Sequence, residues 1–142
     1  MSHSDWALQP SEVFGAGPVV PVIVISAIEQ AIPLAQALLD GGITVMEVTL
    51  RTEYGLPAIA AIAKEFPQAL IGAGTVVNPQ QLSEVAAAGG KFAISPGSTP
   101  ALLKAASDGD IPLIPGVVSS SELMSGLELG YDHFKFFPAE AS

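Results

Sequence analysis

Six short apolar runs of strand character recur along the chain, and a helical pattern fills each gap between them. The runs are PVIVIS (21–26), VMEVTL (45–50), LIGAGTV (70–76), FAISP (92–96), PLIPGV (112–117) and HFKFFP (133–138), and their ends return roughly every 20 to 26 residues. The intervening segments read as helices with their own stop and start signals. AIEQAIPLAQALLDGG closes on glycine after an apolar 3–4 repeat, and GLPAIAAIAKEF follows the same pattern. NPQQLSEVAAAGG opens with Asn78 as N-cap and Pro79 at the first helical position; STPALLKAASDG does the same with Thr99 and Pro100. SSSELMSGLELG carries a capping box from Ser119 to Glu122. Strict βα alternation with short connections dictates a parallel sheet covered by helices. Strands of such a sheet are buried on both faces.

Polar residues inside those strands therefore require an explanation. In ITVMEVTLRT (43–52), Met46, Val48 and Leu50 form one face, and Glu47, Thr49 and Arg51 form the other. Burying Glu47 and Arg51 is costly unless they pair with each other or meet a ligand. Both readings stand: a structural ion pair, or a site. Arg51 is the only arginine among five basic residues, and its planar guanidinium suits a carboxylate or phosphate. Lys135 raises the same question, because it sits mid-strand among aromatics. Either its stem packs while its head reaches the rim, or desolvation lowers its pKa and frees a neutral amine that can attack a carbonyl. Parallel strands can bring Glu47 and Lys135 to one surface at their C-terminal ends, where α/β sites form.

Composition narrows the function. The chain has 142 residues, enough for one domain with a core, so we expect a single domain over 1–142 with a leading segment, 1–17, in which Trp6 lies on a short helix. Hydrophobic residues make up 49% and charged ones 13%, and the net charge of −9 argues against nucleic acid and anionic membranes as partners. There is no cysteine, hence no disulfide framework and no thiolate metal site. The opening residues lack the basic and apolar regions of a signal peptide. No run approaches the ~18 apolar residues of a spanning helix. The expectation is a cytoplasmic protein. His3 and His133 are too few and too far apart in sequence to suggest a metal; His133 reads as a strand-entry residue. Gly72-Ala73-Gly74-Thr75 lacks the full spacing of a phosphate loop, so its glycines read as allowing close packing or ligand approach, with the Thr75 hydroxyl inward. Leu123, Met124 and Leu127 read as core.

The motifs PVIVI, GGITVMEVTLRT, IGAGTVVNPQQL, FAISPG, IPLIPGV and FKFFPAE, in that order, resemble the 2-keto-3-deoxy-6-phosphogluconate (KDPG) and 2-keto-4-hydroxyglutarate (KHG) aldolases from about Pro18 onward. The resemblance implies a (β/α)₈ barrel of TIM type, a homotrimer in the full-length form, and a lyase without cofactor or metal. The reaction would cleave KDPG to pyruvate and glyceraldehyde 3-phosphate, with KHG giving pyruvate and glyoxylate as a second activity. It implies Lys135 as the Schiff-base lysine, Glu47 as proton shuttle, Arg51 as the carboxylate anchor, and Thr75, Pro96 and Phe137 lining the pyruvate end. The alternatives are an aldolase for a related acid such as the 6-phosphogalactonate analogue, a metal-dependent aldolase, and an inactive βα assembly module.

The length stands apart from this picture. Barrels of this type run upward of about 200 residues, so 142 residues hold only about six βα units. The expectation is therefore a portion of a longer protein. Its first and sixth strands would be open, its phosphate-binding loops would lie outside this chain, and these residues alone would show little aldolase activity.

Overall fold

The computed structural model describes residues 3–141 and contains seven strands and six α-helices. Five strands form one parallel sheet in chain order: β1 (Val22–Ile23), β2 (Val45–Thr49), β3 (Leu70–Gly74), β4 (Ala93–Ile94) and β5 (Leu113–Ile114). Two more, β6 (Gly116–Val117) and β7 (Lys135–Phe136), pair in parallel with each other. Between them run α2 (Ala31–Asp40), α3 (Gly55–Glu65), α4 (Pro79–Ala87), α5 (Pro100–Ser107) and α6 (Ser120–Glu128), with α1 (Pro10–Gly15) in front. A 3-10 turn, Ile28–Gln30, leads into α2. This is the α/β alternation expected.

The run at 112–117 forms two strands instead of one. Pro115 has no N–H to give to a ladder, so β5 ends before it and β6 starts after it. The break also lets the run change neighbours. Ser95 N–H still bonds the Ile114 carbonyl on the β4 side, while Lys135 N–H bonds the Pro115 carbonyl on the β7 side. Gly116 keeps the wall continuous, because a Cβ there would collide with the Pro96 carbonyl at the end of β4.

Helix starts follow the sequence signals. The Asn78 side chain accepts from Gln81 N–H at 2.8 Å, the Thr99 side chain from Leu102 N–H, and Ser119 and Glu122 close a reciprocal capping box. Trp6 departs from expectation: it precedes α1 instead of lying on a helix, and it is buried with its indole N–H bonded to the Ala106 carbonyl at 2.9 Å. Of the leading segment 1–17, residues 1 and 2 lie outside the described residues.

Alternation along the strands divides the core in two. Met46, Val48, Ile71, Ala73 and Leu113 point outward and pack under the helices with Ile59, Ile62, Val85 and Leu102. Val45, Phe92, Ile94 and Ile114 point inward and meet Val13 of α1, which closes the N-terminal end of the wall as a plug. Leu123, Met124 and Leu127 do not join either cluster. They are 38%, 60% and 53% exposed, which corrects the core reading. Helix α6 instead leans on the Phe134 ring through Gly126. Its apolar stripe lies beyond β7, which has β6 as its only strand neighbour among the described residues. No helix among the described residues is long and apolar enough to cross a membrane.

The Asn78 cap tests this account of the helix starts. Asn78→Ala should lower the unfolding free energy by about 1 kcal/mol, read as a lower urea midpoint at unchanged slope.

Candidate active site

The wall must curl. Between β2 and β7 lie four strand-to-strand steps, about 19 Å in a flat sheet at about 4.8 Å each. Yet Lys135 Nζ on β7 stands 3.8 Å from Glu47 Oε1 on β2. Both side chains therefore point into one concave interior, above the apolar floor. Lys135 is also placed 4.8 Å over the Phe137 ring, a cation–π contact. Its side chain is 26% exposed, so it lies neither in bulk solvent nor sealed away.

Glu47 is 3% exposed. At 3.8 Å the Lys135 ammonium attracts it without a hydrogen bond, and Oε1 is the one buried side-chain polar atom among the described residues with no hydrogen-bond partner. Burial pushes the carboxyl above the ordinary carboxylate range; the charges of Lys135 and Arg51 pull the other way and offset only part of that. A carboxyl held this way binds a proton more tightly than a solvated one, which suits a group that must both accept and release one.

Arg51 lies two residues past the end of β2, exposed, in the turn into α3. That turn is tied to β1 and the segment just after it, on both sides of the arginine: the Thr49 hydroxyl donates to the Ile23 carbonyl at 3.0 Å, and the Thr52 hydroxyl donates to the Ile25 carbonyl. Thr49, which shares the polar face in the sequence, is thus an anchor of this turn. Thr75 ends β3, half-buried, with φ at 59°. A β-branched residue in the left-handed region is held there against about 1–3 kcal/mol of strain, and such positions cluster at functional sites. Pro96, half-buried past the end of β4, lines a cavity of about 170 Å³ with Val76, Val77, Gly97, Ser98, Thr99 and Leu102. Phe137 follows β7, half-buried. Of the six residues singled out in the sequence, Arg51, Thr75, Pro96 and Phe137 lie just beyond strand ends on the C-terminal side of the wall, whereas Glu47 lies in the middle of β2 and Lys135 opens β7.

Two contributors escaped the sequence reading. Thr52, which closes the run ITVMEVTLRT and carries no role of its own in the sequence, anchors the arginine turn. Gly74, read in the sequence as allowing close packing or ligand approach, lies directly beneath the Glu47 carboxylate. His133 is not in a strand; its Nδ1 is 2.7 Å from Asp132 Oδ1 and its ring stacks on Phe14, away from Lys135. Among the described residues no three His, Asp or Glu side chains converge to hold a metal ion.

A curled parallel wall with helices outside, and a lysine–carboxylate pair facing its interior, is the wall of an incomplete (β/α)₈ barrel of TIM type. Comparison with known proteins makes the assignment specific. The family model "KDPG and KHG aldolase" matches residues 11–142, and the chain belongs to that family. It is 59% identical over 138 residues to the KHG/KDPG aldolase of Escherichia coli K12, covering 97% of this chain and 65% of the relative. It is 61% identical over 138 residues to the 2-dehydro-3-deoxy-phosphogluconate aldolase of Pseudoalteromonas atlantica, covering 97% of this chain and 64% of the relative. Among solved structures, it superimposes with a TM-score of 0.94 and 59% identity on a KDPG aldolase from Legionella pneumophila that holds pyruvate as a covalent carbinolamine, over 96% of this chain and 66% of that one. A Zymomonas mobilis KDPG aldolase with 3-phosphoglycerate gives a TM-score of 0.88 at 49% identity, over 92% of this chain and 62% of that one. The chain thus spans about two thirds of the length of these relatives.

The buried carboxyl carries a pH signature of known sign. Below the unfolded value near 4.5, Glu47 is protonated in both states and costs nothing. As pH rises through that value the unfolded chain ionises first, and stability falls until the raised folded value is passed. Glu47→Gln removes this loss. Its urea midpoint should match the parent near pH 4 and exceed it near pH 8.

Proposed function

We propose that the site performs Schiff-base aldol cleavage of a 2-keto-3-deoxy sugar acid phosphate, with KDPG yielding pyruvate and glyceraldehyde 3-phosphate, and that it also cleaves KHG to pyruvate and glyoxylate. The observation that carries this reading is the lysine amine 3.8 Å from a buried carboxyl whose Oε1 has no hydrogen-bond partner, in a concave interior. The carbinolamine in the Legionella relative supports it.

The steps follow from the groups present. The Lys135 ammonium first passes a proton to Glu47, and the amine attacks the C2 ketone to form a carbinolamine. Glu47 delivers a proton to the departing hydroxyl, and loss of water leaves a protonated imine. That cation draws in the electron pair of the C3–C4 bond. As the bond breaks, the C4 hydroxyl proton passes to Glu47 and the aldehyde leaves. The remaining enamine takes a proton at C3, again from Glu47, and water then hydrolyses the imine to pyruvate and free Lys135. One carboxyl serves each transfer because it stands beside the amine and its burial raises its affinity for protons.

Arg51 holds the substrate carboxylate and so fixes C2 against the amine. Thr75, Pro96 and Phe137 border the pyruvate methyl and carboxylate. The chemistry is complete with protein side chains and needs no metal or cofactor. A cytoplasmic location and, in a chain of the relatives' length, a trimeric assembly belong to the same proposal.

Incubation with pyruvate and borohydride tests the reading. The expected product is a stable adduct at Lys135 with the mass of pyruvate less one oxygen, absent in Lys135→Met; a folded parent that gives no adduct overturns the reading. Arg51→Ala should still form the adduct but require at least about tenfold more pyruvate for half-maximal trapping, the loss expected from one charge-assisted pair.

A further inference from the structure

We propose that Gly74 is a positioning residue for Glu47: the missing side chain at 74 is the space that holds the carboxylate beside Lys135. Three observations carry this. A Cβ built on Gly74 would collide with Glu47 Oε1 and stand 2.8 Å from its Cδ and Cγ, and these are its three nearest atoms. The backbone does not require glycine there, since the positive-φ glycines are Gly42, Gly89 and Gly130. Nor does a hydrogen bond place Oε1, because it has no partner.

The strand register shows how the side chain comes to lie there. Glu47 pairs with Gly72, and Thr49 pairs with Gly74. The glutamate therefore leans across β3 toward its C-terminal end and lies over the backbone of residue 74. Gly72 serves the floor below in the same manner, where a Cβ would come within 2.5 Å of the Phe92 ring. Strand β3 thus offers two bare patches of backbone, one for a ring and one for a carboxylate. At 3% exposure Glu47 is packed on nearly all of its surface. A methyl group at 74 must move the carboxylate within the interior, off its line to Lys135 Nζ.

This inference rests on the aldolase reading for its catalytic consequence, and the experiment separates the two. Trapping of pyruvate by borohydride after equilibration reads how much imine stands on Lys135, and a slower proton transfer by Glu47 does not change that amount. Exchange of the pyruvate methyl protons into deuterium oxide needs the proton shuttle as well. Gly74→Ala should trap pyruvate within about twofold of the parent yet exchange its methyl protons at least about tenfold more slowly. In the Gly74→Ala background, Glu47→Asp removes one methylene and should recover part of the exchange, although Glu47→Asp alone slows it. Exchange by Gly74→Ala at the parental rate overturns the proposal. If Gly74→Ala does not fold, recovery of folding in the double variant supports it, and a double variant no better folded overturns it. If the parent neither traps nor exchanges, the aldolase reading fails. The carboxyl-carbon NMR titration of Glu47 then decides the positioning claim: a displaced titration in Gly74→Ala supports it, an unchanged one overturns it.

Discussion

A carboxylate almost without solvent, facing an amine it does not hydrogen-bond, is the constraint around which this wall is arranged. Removing a carboxylate from water without replacing its hydrogen bonds costs several kcal/mol, about 2–7 for a polar group and more for an ion. The surroundings reduce that cost without cancelling it. Lys135 and Arg51 lower the energy of the anion, and burial raises it by more. The result is a carboxyl that holds its proton more tightly than one in water. A group with that property suits repeated proton transfer and serves poorly as a structural ion pair, which would want short contacts and a fully satisfied anion.

The strands separate this costly layer from the layer that supplies stability. Along β2, Val45 joins the floor with Phe92, Ile94, Ile114 and the α1 plug. Two residues on, Glu47 begins the polar mouth, and Thr49 locks the exit of the strand to β1. The period of two that alternates faces also sorts the interior by height. Outward residues of the same strands, Met46 and Val48, pack under the helices regardless of what the mouth contains. Chemistry at the C-terminal ends can then be changed without disturbing the helical layer, which is the physical reason α/β sites lie there.

Much of this was legible in the residues because it depends on short-range signals. The βα order, the N-caps at Asn78, Thr99 and Ser119, and the polar anomalies at Glu47 and Lys135 are local patterns with local causes. What escaped depends on neighbours distant in sequence. The run at 112–117 alternates well enough for one strand, but the missing N–H of Pro115 and the change of partner from β4 to β7 make it two. Trp6 lies outside a helix because its indole is tied to Ala106, a residue 100 positions away. The stripe of Leu123, Met124 and Leu127 has helical spacing, and spacing shows that a helix is amphipathic without showing what covers it. Arg51 reads as a strand residue in the sequence, yet the strand ends at Thr49, and two threonine hydroxyls place the turn that carries it.

Gly74 shows the limit of such reading most clearly. In sequence, a glycine in a strand signals weakness, a bulge or a close approach, and nothing nearby says which. Its meaning comes from the adjacent strand, where a glutamate two positions back in register needs somewhere to lie. Absence of a side chain is then as specific as its presence: the same backbone with alanine would displace the one group whose position sets the distance to Lys135. The lysine is held by the Phe137 ring and by its strand, whereas the carboxylate has only charge attraction and the shape of the wall to place its Oε1. Of the two partners, the carboxylate is the one whose placement depends most on its neighbours having nothing in the way.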